Sequence, residues 1–389
     1  KRPARINMAW GGIDNNHVGT DEWIALNKSI GSENNVCVNL GLGTIQDACN
    51  WLEYCNYRKG TYFSDLRIKN GHAEPYDIKI WDLGNEVDGR PWELGHKTVE
   101  EYVRIAREAA KAMKAIDNSI KFVASGSSYY EPTGQWVDWN RQVLSGLGDL
   151  VDYISIHRYW ENSPDYYTYM GQSAIDFDEK IRVTAAEIET AKAMNGFKNP
   201  IYISVDEWGI MSRDLLSALP IAQCFNSFIR HADIVKMADF TMFTSLLAND
   251  REKGTFKTPL FYIFKAYSDN CRGNSIDTYV ECETFKTELY SDIPYLDVTT
   301  VYSKETNSIF INVVNRHKDK AITAEIINNG GGLAGRAKAS VIAGESLNEI
   351  FTFDKQSQYL PVEKEVKIEK GKITYSFPAH TFTQIKVEL

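Results

Sequence analysis

Cysteine is scarce, with six among 389 residues. None of Cys37, Cys49, Cys55, Cys224, Cys271 and Cys282 forms a C-x-x-C pair, which removes the usual pattern of a zinc or dithiol site. Such usage suits unpaired structural thiols in a reducing compartment, with a Cys271–Cys282 pairing left open. No stretch approaches the ~20 apolar residues needed to cross a bilayer, so a membrane is not an expected partner. Lys and Arg number 43 against 52 Asp and Glu, a formal net charge of −9. They form no strong basic patch, which argues against nucleic acid as a partner. His72, His96 and His231 lack H-E-x-x-H or similar spacing, so no catalytic metal is expected. A G-x-S-x-G elbow is missing as well; Ser125-Gly126-Ser127-Ser128 is the nearest string and reads as a small-residue loop. Gly41-Leu42-Gly43-Thr44 lacks the third glycine and the downstream acid of a dinucleotide fingerprint, and no cofactor is expected.

What is present is enough apolar material for a sizeable core, 43% of the chain. From residue 36 to about 245, short β-rich runs alternate with helical stretches. The strand candidates are Val36–Leu40, Ile78–Leu83, Lys121–Ser125, Tyr153–His157, Ile201–Asp206 and Val235–Thr241. Between them, Thr98–Ile116 and Asp176–Met194 carry helical periodicity. Strands alternating with helices imply βα units and a parallel sheet. After about residue 275 helical periodicity is absent. Leu296–Tyr302, Ser308–Arg316, Ala321–Ile327, Ala337–Ile342, Val366–Glu369 and Lys372–Ser376 read as strands of an antiparallel β-sandwich. The expected division is a catalytic barrel over 1–274, N-terminally incomplete, and a jelly-roll-like sandwich over 275–389.

Several parallel strands run into polar or acidic residues, where a βα barrel or a doubly wound sheet carries its chemistry. Ile78–Leu83 leads into Gly84-Asn85-Glu86, and Ile201–Val205 into Asp206-Glu207-Trp208. Glycoside hydrolysis needs two carboxyl groups across the scissile bond, one protonating the leaving oxygen and one attacking the anomeric carbon or activating water. Glu86 and Glu207 are the candidates. The competing readings are a helix-start carboxylate for Glu86 and an arginine partner for Glu207. Asn85 is placed to hydrogen-bond a sugar hydroxyl, and Trp208 to form a stacking platform. His157 is placed to orient a carboxylate, and Tyr159 to hold the nucleophile ionised. For both, simple packing is the alternative.

These residues resemble a known family. Arg5–Trp10, Gly19-Thr20-Asp21-Glu22, Tyr62–Asn70, Val151–Tyr159 and Val205–Trp208 match the α-L-arabinofuranosidases of glycoside hydrolase family fifty-one. The most specific match is Gly84-Asn85-Glu86-Val87-Asp88-Gly89 followed by Trp92 and Gly95-His96-Lys97-Thr98. The resemblance implies a (β/α)8 TIM barrel plus a β-sandwich, and retaining removal of terminal arabinofuranosyl groups from arabinan, arabinoxylan or their oligosaccharides. It implies Glu86 as acid/base and Glu207 as nucleophile, with Asn85 and Tyr159 near the sugar or nucleophile and Trp10 near the aglycone. It further implies a homo-oligomer, often a hexamer, and a cytoplasmic location; Lys1-Arg2-Pro3 shows no signal-peptide pattern.

Three departures qualify that reading. Residues 1–35 leave no room for the first two barrel strands, so a missing N-terminal segment or a second chain is expected to complete the barrel. Met211 and Met242 stand where the family usually has Trp and Gln, and Met has no strong donor. The stretch from Trp208 to His231 is also short. The alternatives these leave are a xyloside or endo-β-glucan/xylan specificity, or a non-catalytic carbohydrate-binding relative.

Overall fold

The computed structural model describes residues 2–389 except 130–134, 161, 162, 164, 211, 242–244, 345, 349–351, 356 and 358. Met211 and Met242 therefore lie outside the described residues. The chain forms two compact units, Lys1–His157 with Val183–Asp206, and Arg158–Arg182 with Glu207–Leu389.

The parallel strands are β1 (Asn35–Val38), β2 (Ile80–Leu83), β3 (Lys121–Ala124), β4 (Tyr153–Tyr159), β5 (Tyr202–Gly209) and β6 (Val235–Phe240), neighbours in that order. Their register pairs Val36 with Trp81, Trp81 with Phe122, and Ala124 with Ile154. All six expected strands are present. The ends move, and β4 and β5 run beyond His157 and Asp206 to Tyr159 and Gly209. β2 to β5 are mostly buried, largely apolar runs, as covered parallel strands require, while β6 buries only Val235.

The helices begin where side chains satisfy free backbone N–H groups. They are α1 (Thr20–Ile30), α2 (Ile45–Asn56), α3 (Tyr62–Lys69), α4 (Val99–Ile116), α5 (Gln135–Leu147), α6 (Tyr166–Asn195), α7 (Leu215–Arg230) and α8 (Pro259–Asn270). Thr98 accepts from Glu101 N at 3.3 Å, while the Glu101 carboxylate accepts from Thr98 N at 2.9 Å. α4 buries Tyr102, Ala106, Ala109, Ala110 and Met113, one face at helical spacing. In the first unit Arg67 is fully buried, with no carboxylate in an ion pair with it among the described residues. Its guanidinium donates to the carbonyls of Tyr54, Tyr57, Arg58, His72 and Ala73, tying α2 to the segments flanking α3.

In the second unit Thr284–Phe285 pairs with Ile293–Pro294, and the other C-terminal strands form two antiparallel sheets. They are β7 (Asn274–Ile276), β8 (Leu296–Ser303), β9 (Ser308–Asn315), β10 (Ile322–Ile327), β11 (Arg336–Ile342), β12 (Val362–Val366), β13 (Ile368–Glu369), β14 (Lys372–Phe377) and β15 (Thr381–Glu388). The larger sheet runs β7-β8-β9-β15-β11-β12 and the smaller β10-β14-β13. The expected single strand Val366–Glu369 is two elements: β12 pairs with β11 in one sheet, β13 with β14 in the other, so the chain changes sheets at Lys367. Leu296, Ile311, Val313, Ile385 and Val387 of the larger sheet share a core with Ile373 and Phe377 of the smaller. The architecture is of the TIM-barrel type, with six parallel strands described, followed by a β-sandwich.

A polar network ties α7 to the sandwich. Asp297, 5% exposed on β8, accepts from Arg230 Nη1 at 2.8 Å and Asn226 Nδ2 at 2.9 Å, with Arg316 Nη2 at 3.4 Å. Asp178 lies 3.3 Å from Arg230 Nη2 and 3.2 Å from His231 Nε2, and accepts from Ser227 Oγ. All six cysteines are free thiols.

Candidate active site

After β2 the chain turns sharply through Gly84 (φ 89°), Asn85 and Glu86 (φ 49°). A left-handed conformation suits glycine, but for glutamate it is uncommon and costs about 1 kcal/mol or more. Asn85 and Glu86 emerge exposed from a buried strand. The strand end is braced from behind by Tyr102 of α4. Its hydroxyl donates to Leu83 O at 2.8 Å and accepts from Ser125 N at 2.7 Å. The Tyr102 ring stacks on Trp139 at 5.8 Å, whose indole N–H donates to Ser125 O at 3.2 Å.

His157 lies against this turn, only 2% exposed. Its Nδ1 is 3.0 Å from Glu86 Oε1 and its Nε2 is 3.1 Å from Asp206 Oδ1. Its backbone N–H donates to Ser127 O at 3.1 Å. The imidazole fixes the direction of the Glu86 carboxyl through Nδ1 and lies in ion-pair reach of Asp206 through Nε2.

Two residues further along β4, on the same face of the strand, stands Tyr159. In the second unit its hydroxyl donates to Glu207 Oε2 at 2.7 Å. The hydrogen bond engages Oε2 and leaves Oε1 as the other oxygen.

The remaining expected residues fall in different places. Trp10 is 86% exposed, its backbone N–H donating to Asn7 Oδ1 at 2.9 Å. Trp208 departs from the expectation of a sugar platform. It is 1% exposed, with its ring 5.0–5.9 Å from those of Phe225, Phe228, Phe240 and Phe264. An indole enclosed by four phenyl rings has no open face to stack on a sugar, so Trp208 is a core residue. The strand beside it needs Gly209, where a Cβ would stand 2.6 Å from the Phe240 ring.

The sequence reading missed Asp206 as the second partner of His157, and Tyr102 as the brace under the turn. Asp206 carried a signal, since it adjoins Glu207 at a strand end. Tyr102 carried none beyond its place in an amphipathic helix.

The model of the "Alpha-L-arabinofuranosidase 1 domain" matches residues 1–174, and that of the "Alpha-L-arabinofuranosidase C-terminal domain" matches residues 206–381. An intracellular exo-α-(1→5)-L-arabinofuranosidase of Halalkalibacterium halodurans is 36% identical over 84% of this chain and 70% of its own length. One of Bacillus subtilis is 37% identical over 83% and 69%. The crystal structure of the α-L-arabinofuranosidase from Thermotoga maritima, in its arabinose complex, superimposes with a TM-score of 0.88 at 29% identity. It covers all of this chain and 82% of that one. A family 51 α-L-arabinofuranosidase from Bifidobacterium longum gives 0.92 at 25% identity over 99% and 82%.

Proposed function

Because this chain belongs to the α-L-arabinofuranosidases of glycoside hydrolase family fifty-one, retaining enzymes acting on arabinose-containing glycans, we propose that Glu86 is its acid/base and Glu207 its nucleophile. The observation that carries the assignment is the different partner of each carboxyl. Glu207 accepts from the Tyr159 phenol, a donor that orients a carboxylate for attack; Glu86 lies against the His157 imidazole, a group suited to proton exchange.

In the first step the Glu207 carboxylate attacks the anomeric carbon. The glycosidic bond breaks, and Glu86 gives its proton to the departing oxygen. The product is an arabinosyl ester on Glu207. In the second step Glu86, now a carboxylate, takes a proton from water. The water oxygen attacks the same carbon, the ester breaks, and arabinose leaves with its configuration retained. Asn85 is proposed to hold a sugar hydroxyl and Tyr159 to orient Glu207. His157 is proposed to position Glu86, and Trp10 to lie toward the aglycone.

The substrates we propose are terminal α-L-arabinofuranosyl groups of arabinan, arabinoxylan or their oligosaccharides. The two bacterial relatives are named intracellular and exo-acting, and we propose the same for this chain. The family resemblance also leads us to propose a homo-oligomer, and a catalytic domain over 1–274 followed by a sandwich domain over 275–389.

Azide separates the two roles. With a nitrophenyl α-L-arabinofuranoside, Glu86→Ala is expected to yield an arabinosyl azide of retained configuration, because azide attacks the covalent intermediate. Glu207→Ala is expected to yield the inverted azide, because azide takes the nucleophile's place. Interchanged configurations would overturn the assignment.

A further inference from the structure

Along β4 successive side chains point to opposite faces, so Arg158 turns away from the face that His157 and Tyr159 share. Its guanidinium is a forked donor. Nη2 donates to Asp176 Oδ2 of α6 at 2.7 Å, and Nη1 donates to the Tyr159 carbonyl at 2.6 Å. Its central carbon lies 5.7 Å from the Trp160 ring centroid, within cation–π range. Asp176 is 4% exposed, so the ion pair is largely removed from water. A guanidinium is planar and rigid, so the direction of its bond to Asp176 sets where the other prong points. That prong holds the backbone of the residue whose hydroxyl donates to Glu207.

Asp176 is held in turn by a residue far along the sequence. The Tyr290 hydroxyl shares its proton between Asp176 Oδ1 at 2.5 Å and Glu179 Oε2 at 2.8 Å. Tyr290 stands in the turn between Thr284–Phe285 and Ile293–Pro294. There its carbonyl accepts from Thr287 N at 2.8 Å, and its N–H donates to Thr287 Oγ1 at 3.1 Å. The hairpin is pressed against α6. A Cβ on Gly171 would stand 2.8 Å from Ile293 Cδ1 and 3.2 Å from the Phe285 ring. Packing of the Tyr290 ring would be served as well by phenylalanine. The hydroxyl adds a donor to a buried carboxylate that already carries an arginine. All of these groups belong to the second unit.

We propose that Tyr290 and Arg158 are positioning residues for the reaction, acting through Asp176 and the Tyr159 backbone to aim the hydroxyl that holds Glu207. The inference rests on the reading of Glu207 as nucleophile and Tyr159 as its donor. With the Tyr290 hydroxyl gone, Asp176 loses the bond that fixes its bearing. The guanidinium then no longer holds the Tyr159 carbonyl at one place, and the phenol loses its aim at Oε2. Attack at the anomeric carbon is sensitive to such small displacements, because its rate depends on reacting atoms held in line.

The test is a double-mutant cycle with a nitrophenyl α-L-arabinofuranoside. Tyr290→Phe removes one hydroxyl and keeps the ring. It is expected to lower kcat/KM about threefold or more in the otherwise unaltered full chain. In Tyr159→Phe the same change is expected to cost less than about 1.5-fold, because the hydroxyl it acts through is already absent. Arg158→Lys, which keeps the charge and loses the fork, is expected to follow the same pattern. A residue that only supports the fold would give equal losses in both backgrounds. Equal losses, or no loss in the unaltered chain, overturn the proposal. Tyr159→Phe by itself reports on the underlying reading. Unchanged kcat/KM there removes that reading and the proposal together, whereas a loss there with equal Tyr290→Phe effects in both backgrounds removes the proposal alone.

Discussion

Tyr159 Oη and Glu207 Oε2 stand 2.7 Å apart, the phenol donating to the carboxylate. A neutral donor to a charged acceptor contributes about 1.5–3 kcal/mol. Tyr159→Phe removes only the hydroxyl, and is expected to lower kcat/KM on a nitrophenyl α-L-arabinofuranoside by roughly 10- to 100-fold with little change in thermal midpoint. Steady-state kinetics and a melting curve on the same preparation decide it. Unchanged kinetics would remove Tyr159 from the reaction.

His157 is the buried link between Glu86 and Asp206, so its removal acts on activity and stability together. His157→Ala leaves Asp206 facing a cavity instead of an imidazole, at a cost of about 1–3 kcal/mol. The variant is expected to unfold at a lower temperature and to lose activity. In Asp206→Asn, which keeps shape and hydrogen bonding, the stability loss is expected to be smaller. Calorimetry on the two variants checks the order.

Trp208 belongs to the core and not to the sugar. Trp208→Ala empties a site enclosed by Phe225, Phe228, Phe240 and Phe264, and is expected to destabilise the fold by about 3–5 kcal/mol. Trp208→Phe keeps most of the packing. It is expected to fold with a lower midpoint and a KM close to that of the parent chain. A KM raised tenfold in a well-folded Trp208→Phe would restore a direct sugar contact.

The Asp178 cluster predicts an acid dependence of stability. Burial alone would raise the Asp178 carboxyl. The hydrogen bond from His231, the charge of Arg230 and the hydrogen bond from Ser227 outweigh it and hold the carboxyl down at about 2. A carboxyl depressed in the folded state stabilises that state above its unfolded value of about 4, and the contribution is lost as pH falls toward the folded value. The thermal midpoint of the parent chain is therefore expected to drop more steeply below about pH 4 than that of Asp178→Asn, the two curves converging near about pH 2. Parallel curves over that range would contradict it.

Much of the fold was legible because buried parallel strands are short apolar runs, and β1 to β5 stand out that way. β15 did not. Its residues Thr381, Thr383 and Gln384 are polar, yet all three are buried, because β15 lies between β9 and β11 and packs against α8. There Gln384 donates to Ala266 O at 3.2 Å and accepts from Asn270 at 2.6 Å. Burial of that kind comes from tertiary partners, which spacing does not record. α6 likewise begins at Tyr166, ten residues before the periodic stretch from Asp176. At the site, local signals placed His157 and Tyr159 at a strand end but could not choose their partners. Trp208 misled for a related reason: adjacency to Glu207 suggested a shared role, while the surrounding phenylalanines, up to 56 residues away in sequence, decide where the ring goes.

The backbone at Glu86 has a consequence for how the protein changes over generations. A left-handed φ of 49° is one that glycine adopts freely and glutamate does not. Replacing Glu86 with glycine would remove that local strain, at the cost of the bond to buried His157 Nδ1. Backbone ease and turnover therefore pull in opposite directions at this codon. A lineage in which the reaction no longer mattered would be expected to lose this glutamate early, while Tyr102 and Leu83 beneath it stayed in place.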